Sequence, residues 1–349
     1  MIDWRLAERV SRAVTANTGS SVAPHDALTA EIDAFAARSA ELVAGYTGLT
    51  AAAELPPPET IDRAQWAEIN LGSMRSVLEP IVERQGEGLG PLAGPMRALT
   101  GMVLAVEVGA LSGFLAGRVL GQYEFPVTDP DRAPRLLFVG PNLAGAARSL
   151  EAGDTDLVRW VALHETTHAL QFGGVPWLRS HMAERIGGLL SSMTIEVDAR
   201  SLLRLPTSGD LRALAQAVRA GRFIDFVAGP ERRALLDELQ ATMALIEGYA
   251  EHVMDAVGEA LLPELPRLRE GLERRRKERS GLLRMFERLI GLDLKLRQYE
   301  QGKAFCDAVV ASGGIGALNR AWSDPSALPT LAELDAPQAW LQRTANSRS

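Results

Sequence analysis

His164-Glu165-Thr166-Thr167-His168 sets two imidazoles four residues apart with a carboxylate beside the first. This is the HExxH pattern. On an α-helix, positions four apart lie about 40° apart around the axis, so both rings point the same way and can share one divalent cation. Glu165 sits about 100° from His164, outside the ligand plane but within reach of a water on that cation. The chemistry open to such a set is metal-assisted hydrolysis: zinc acts as a Lewis acid and lowers the pKa of a water, and a carboxylate takes the proton. A helix from about Asp156 to Phe172 puts Leu157, Trp160, Val161 and Phe172 on the histidine side. Two histidines and a glutamate on an apolar stripe are costly to bury unless something pairs them. The chain has five histidines, and two of them are here, which weighs against chance. The competing reading is a coincidental match in which each histidine is hydrogen-bonded by itself in the core.

A catalytic zinc needs a third protein ligand and an open position. Glu247, Glu251, His252 and His181 are the candidates. Residues 244–255 read as one helix, with Glu247 and Glu251 sharing a face with Gln240, Met243 and Met254. His252 lies about 140° from Glu247, beside Leu245, so the two cannot both reach one metal from a regular helix. Gly248 removes a side chain next to Glu247, which would admit a metal or substrate. Glu251 and Asp255 read either as acceptors that orient the imidazoles through their outer ring nitrogens or as solvated helix acids. Tyr249 and Tyr299 are the candidate donors to a developing oxyanion, against the commoner fate of a core tyrosine. His181 reads as a surface or core histidine and His25 as a loop residue.

The combination of HExxH with Glu247-Gly248-Tyr249-Ala250-Glu251 resembles the glutamate-zincin metallopeptidases. That resemblance implies zinc held by His164, His168 and Glu247, with Glu165 as general base. A closer resemblance rests on His164–Phe172, on the segment from Glu247-Gly248 to Val253-Met254-Asp255, and on Arg297-Gln298-Tyr299-Glu300-Gln301-Gly302. It is to an uncharacterised family assigned as zinc-dependent metalloproteases, sometimes labelled as associated with biosynthesis of a deazaflavin coenzyme, and it covers most of the chain. It implies one Zn2+ per chain and a peptide or protein substrate. The spacing departs from many glutamate zincins, because 78 residues separate His168 from Glu247. Residues 178–235 read as a helical insertion that fills the gap.

The elements that must position these groups are mostly helical. The expected class is α+β and predominantly helical: a zincin-like core with a small sheet and added helices. Helical patterns cover residues 3–17, 27–46, 178–203, 209–220, 231–262 and parts of 266–311. After Pro56-Pro57-Pro58, Thr60 is the expected N-cap of a helix running to about Glu83. Gly109, Gly113, Gly117 and Gly121 recur every fourth residue, a spacing that lets a buried helix approach a neighbour closely. Leu136–Val139, stopped by Gly140-Pro141-Asn142, reads as a strand, with a second near Glu124. In zincin folds, an edge strand just before the HExxH helix pairs with extended substrate, and Leu136–Val139 stands in that position. The tail from Ser323 reads as turn-rich and finishes in a polar, frayed end. The expected division is an N-terminal helical region, 1–122, and a metal-binding core, 123–349.

Composition sets the outer limits. The chain has 349 residues, 46% hydrophobic and 23% charged, which excludes a wholly disordered chain. A net charge of −7 argues against nucleic acid as the partner. Residues 267–288 carry many arginines, but interleaved glutamates make them a solvated helix. The single cysteine, Cys306, excludes an internal disulfide framework and a cysteine-built zinc knuckle. It reads as a buried small hydrophobe, and a lone thiol fits a cytoplasmic location. The N-terminus lacks the pattern of a signal peptide. Met102–Leu120 is apolar enough to be tested as a membrane span, but Glu107 and Arg118 favour a soluble core helix. The expected function is zinc-dependent hydrolysis of peptide or amide bonds. The alternatives are a non-catalytic protein that keeps a structural or sensing metal, or a metal hydrolase of a non-peptide substrate.

Overall fold

The computed structural model describes residues 2–16, 26–85, 93–126, 132–150, 154–192, 230–258 and 292–346. It is α+β and predominantly helical, as expected, with a three-stranded sheet among the described residues. The chain divides into two compact units: Met1–Ala183 with Val253–Leu272, and Glu184–His252 with Glu273–Ser349.

The first unit contains α1 (Trp4–Ala16), α2 (Asp26–Thr47), β1 (Pro58–Ile61), α3 (Arg63–Gln85), α4 (Ala93–Ala116), β2 (Gly121–Glu124), β3 (Arg135–Val139), α5 (Gly140–Leu150) and α6 (Asp154–Gly174). The sheet order is β1-β3-β2, with β1 parallel and β2 antiparallel to β3. The apolar run of β3 is explained by burial on both faces. Leu136 and Phe138 pack with Ile32, Leu143, Leu157 and Val161, while Leu137 and Val139 pack with Ile61, Trp66 and Ala116. Pro58 is tolerated because β1 is an edge strand, where a missing N–H breaks no ladder. Arg135 grips Glu59 through both carboxylate oxygens across the β1–β3 pair.

The expected helix cap at Thr60 is corrected: Thr60 lies in β1. Asp62 caps α3 instead. Its Oδ1 accepts the Gln65 amide at 2.8 Å, and Gln65 Oε1 accepts the Asp62 amide at 2.9 Å. This reciprocal pair is a capping box; the β-branched Thr60 extends the strand that precedes it. Of the glycine-spaced residues, Gly109 and Gly113 lie in α4, whereas Gly117 falls just past its end and Gly121 in β2. A Cβ at Gly113 would sit 2.7 Å from Val14 Cβ, and one at Gly109 would sit 2.9 Å from Ala7 Cα, so α1 and α4 cross almost backbone to backbone. Glu107 and Arg118 are exposed. Among the described residues, no helix is long and apolar enough to cross a membrane.

The second unit contains the end of α7 (Leu178–Ser192), most of α8 (Pro230–Gly258), α9 (Leu292–Leu318), α10 (Leu331–Leu334) and α11 (Pro337–Asn346), with two 3-10 turns at Asn319–Trp322 and Pro325–Ala327. The turn-rich tail is folded as far as Asn346, because it carries its own core, and its polar end, 347–349, lies outside the described residues. Trp340 is fully buried, donates its indole N–H to Ala327 O at 2.8 Å, and meets Phe305 edge to face. Thr330 and Glu333 form a capping box on α10, and Arg343 binds Glu333 through Nε at 2.7 Å. The helical patterns expected over 193–203, 209–220, 259–262 and 266–291 lie outside the described residues.

Candidate metal centre

α6 presents His164, Glu165 and His168 from a helix whose other faces are core. Leu157, Val161, Ala162, Leu163, Ala169 and Leu170 are all buried. Thr167 fits mid-helix because its hydroxyl donates back to Leu163 O at 2.8 Å. The Nε2 atoms of His164 and His168 stand 3.1 Å apart, with their rings edge to face. Two nitrogens sharing a tetrahedral zinc at about 2.0–2.1 Å lie about 3.3 Å apart, close to what is seen. Trp160, one turn earlier, stacks parallel to His164 with ring centroids 6.0 Å apart.

The outer ring nitrogens have acceptors of their own. His168 Nδ1 lies 2.9 Å from Gln171 Oε1, and His164 Nδ1 lies 3.2 Å from Met254 Sδ. Sequence leaves Glu251 and Asp255 open as such acceptors or as solvated helix acids; Met254 is seven residues from Glu247, about 20° around the axis. The face that carries Glu247 therefore also carries the sulfur. His164, His168 and Glu247 each offer a ligand atom, and these atoms lie within 4.8 Å of one another.

Glu165 is 8% exposed, and its Oε2 accepts the backbone N–H of Tyr123 at 2.8 Å. The reason lies in the phase of β2. Val139 N donates to Leu120 O, so Leu120, Gln122 and Glu124 turn their amides toward β3. Gly121 and Tyr123 turn theirs to the outer edge. A side chain at Gly121 would meet both Glu165 Cγ and Val161 Cγ1 at 2.7 Å, so glycine is required for β2 to lie against α6. β3, the strand expected to offer an edge for substrate, is instead central in the sheet, paired on both sides; the edge beside Glu165 belongs to β2. Burial pushes the Tyr123 phenol up to about 12. Its ring stacks on Phe172 at 5.6 Å, and Phe125 lies 4.6 Å from the same ring.

The remaining sequence candidates fall elsewhere. Tyr249 is fully buried, and its hydroxyl donates to Asn319 Oδ1 at 2.9 Å. The side chain of Tyr299, His25 and the whole of 267–288 lie outside the described residues. His252 turns to α9, where its Nδ1 lies 2.7 Å from Asp307 Oδ1; Asp307 Oδ2 accepts from Lys303 Nζ at 2.5 Å. His181 is a core histidine, 5% exposed, edge-on to Trp177. Cys306 is fully buried, and burial pushes its thiol well up, as expected of a core residue. Gly248 is a correction. It opens no space for metal or substrate, because a Cβ there would run into the Gly302 carbonyl and Lys303 N (2.6 Å), so its job is the close crossing of α8 and α9.

Gln171, Met254 and the Tyr123 amide escaped the sequence reading. Gln171 carries a signal, being one turn after His168 on the same helix. Met254 carries a weaker one in its seven-residue phase with Glu247. The Tyr123 amide carries none, since any residue but proline supplies a backbone N–H.

A family model described as zincin-like metallopeptidase matches residues 2–341. Among solved structures, the chain is similar to one from Chloroflexus aurantiacus described as a presumed hydrolase with a novel fold. The two are 32% identical, the alignment covers 99% of each chain, and the TM-score is 0.74. No match is found among curated proteins.

Proposed function

The chain belongs to the zincin-like metallopeptidase family, and from that premise we propose that it is a zinc-dependent hydrolase of peptide or amide bonds. Membership and the hydrolase likeness support metal-dependent hydrolysis as the class. The observation that carries the finer reading is the approach of His164, His168 and Glu247 ligand atoms to within 4.8 Å of one another. Two imidazoles and one carboxylate form a donor set suited to a catalytic zinc, and the 3.1 Å separation of the Nε2 atoms fits a shared cation. When bound, zinc supplies Lewis acidity and brings the pKa of a water toward neutrality.

The residues of the chain do the rest. His164 and His168 present Nε2, and Glu247 presents a carboxylate oxygen. Glu165 takes the proton from the attacking water at its carboxylate and returns it to the leaving amine. The Tyr123 amide on Oε2 fixes the orientation of that carboxylate. Of the two tyrosines proposed as oxyanion donors, Tyr249 already gives its hydroxyl proton to Asn319, so Tyr299 is the one to test. Membership of a metallopeptidase family supports a peptide or protein segment as substrate.

Glu165→Gln tests the reading. The variant keeps one zinc per chain by elemental analysis and loses about 10²–10⁴-fold in hydrolysis of a fluorogenic peptide mixture. Activity that survives the change removes Glu165 from the chemistry; a wild-type chain that takes up no zinc removes the metal site.

A further inference from the structure

We propose that Met254 is a positioning residue for the metal centre, holding His164 through its outer ring nitrogen with a thioether where an amide oxygen holds His168. The proposal rests on the reading of His164 and His168 as zinc ligands. Because their Nε2 atoms face each other at 3.1 Å, Nδ1 carries the N–H in the tautomer that binds a cation. On His168 that N–H points to Gln171 Oε1 at 2.9 Å; on His164 it points to Met254 Sδ at 3.2 Å. Both acceptor residues are fully buried.

The two acceptors differ in kind. Metal-bound histidines ordinarily give this N–H to a carboxylate, a carbonyl or water, which raises the basicity of the ring and fixes its plane. A thioether is a weak acceptor. Met254 thus fixes the ring, whose plane lies parallel to the Trp160 indole with centroids 6.0 Å apart, while donating little electron density to it. Of the two imidazoles, His164 has the weaker acceptor on its outer nitrogen and would be the weaker donor to a cation. Met254 and Glu247 lie seven residues apart on α8, so one helical stripe supplies both the third ligand and the grip on the first.

The test is zinc affinity, measured for wild type, Met254→Leu and Met254→Gln by competition with a chromophoric chelator. Metal-free thermal unfolding of each variant confirms that it folds. Leu fills the space without an acceptor, and zinc affinity falls about 10-fold; Gln restores an oxygen acceptor of similar length, and affinity rises about 10-fold above wild type. Opposite signs for the two variants are the signature that a packing role does not produce. A folded Met254→Leu chain with wild-type affinity, or a folded Met254→Gln chain that binds no tighter than Met254→Leu, overturns the role of Met254 alone. A wild-type chain that binds no zinc, with His164→Ala indistinguishable from it, overturns the ligand reading first and Met254 with it.

Discussion

Two histidine sites in this molecule use the same residue type for opposite purposes. On α6, His164 and His168 turn Nε2 toward Nε2 at 3.1 Å and rest their outer nitrogens on neutral acceptors, a thioether and an amide. On α8, His252 leans on a carboxylate, and that carboxylate is balanced by the Lys303 ammonium. The second site closes its own charge account with groups from α8 and α9. The first brings two ring nitrogens and a carboxylate oxygen within 4.8 Å, and under the proposed function a shared cation would reconcile them. What separates a ligand from a latch is thus where the second ring nitrogen points, and a histidine count cannot report that.

The largest expected effect breaks the comparison directly. His164→Ala loses stoichiometric zinc, because one imidazole and a distant carboxylate hold the ion far more weakly than the full set. His252→Ala keeps its zinc and loses about 1–2 kcal/mol of stability through the broken hydrogen bond to Asp307. Elemental analysis and urea unfolding, run on both variants, separate the two outcomes. Zinc lost from a folded His252→Ala chain erases the distinction between the sites.

The α6 site was legible because its information is local. HExxH sets the helix phase of both imidazoles within five residues, and Trp160, one turn back, falls into place by the same rule. β3 was legible for a different reason, since an unbroken apolar run fits burial on both faces. Neighbourhood was not legible. Leu136–Val139 reads equally well as an edge or a central strand, and only pairing with Pro58–Ile61, far back in the chain, decides it. That partner was itself hidden, because Pro58 and Glu59 look like loop and Thr60 like a cap. The core of the tail was hidden for a related reason. Its turn residues are real, but Trp340 is buried by Phe305 and Ala327, contacts that no short window contains.

Gly248 gave the subtlest error. Its position next to Glu247 invites a functional explanation, yet its missing side chain serves α9. A Cβ at Gly302 would run into the Ala244 carbonyl, as one at Gly248 runs into Gly302. The second largest effect follows. Gly302→Ala destabilises by about 1–3 kcal/mol, because the obstruction is backbone and cannot rotate away. Gly187→Ala, on α7 with nothing within 4 Å of its would-be Cβ, stabilises by about 0.5–1 kcal/mol through better helix propensity. Denaturant midpoints of the pair measure the difference. Equal midpoints would show that the α8–α9 crossing is looser than its geometry and that the His252 latch is holding little.

The smallest effect concerns acid. Burial by itself raises the Asp307 carboxyl, but hydrogen bonds from Lys303 and His252 outweigh it and hold the group below the ordinary carboxylate range. A carboxylate whose folded-state pKa is depressed contributes stability that is full above its unfolded value, about 4, and is lost as pH falls through the folded value. The wild-type chain therefore loses this increment on acidification, and Asp307→Asn has none to lose. Glu59 and Glu333 are depressed as well, by hydrogen bonds to Arg135 and Arg343 that outweigh burial, so the whole protein weakens in acid. The informative quantity is the difference between wild type and Asp307→Asn, read from urea midpoints at pH 7 and pH 3. The gap at pH 7 should narrow at pH 3, modestly, because the Asp307 side chain is 43% exposed and solvent screens the pair. A gap that stays constant would make the contact with His252 a matter of shape rather than charge. The contrast with the α6 site would then rest on the direction of the ring nitrogens alone.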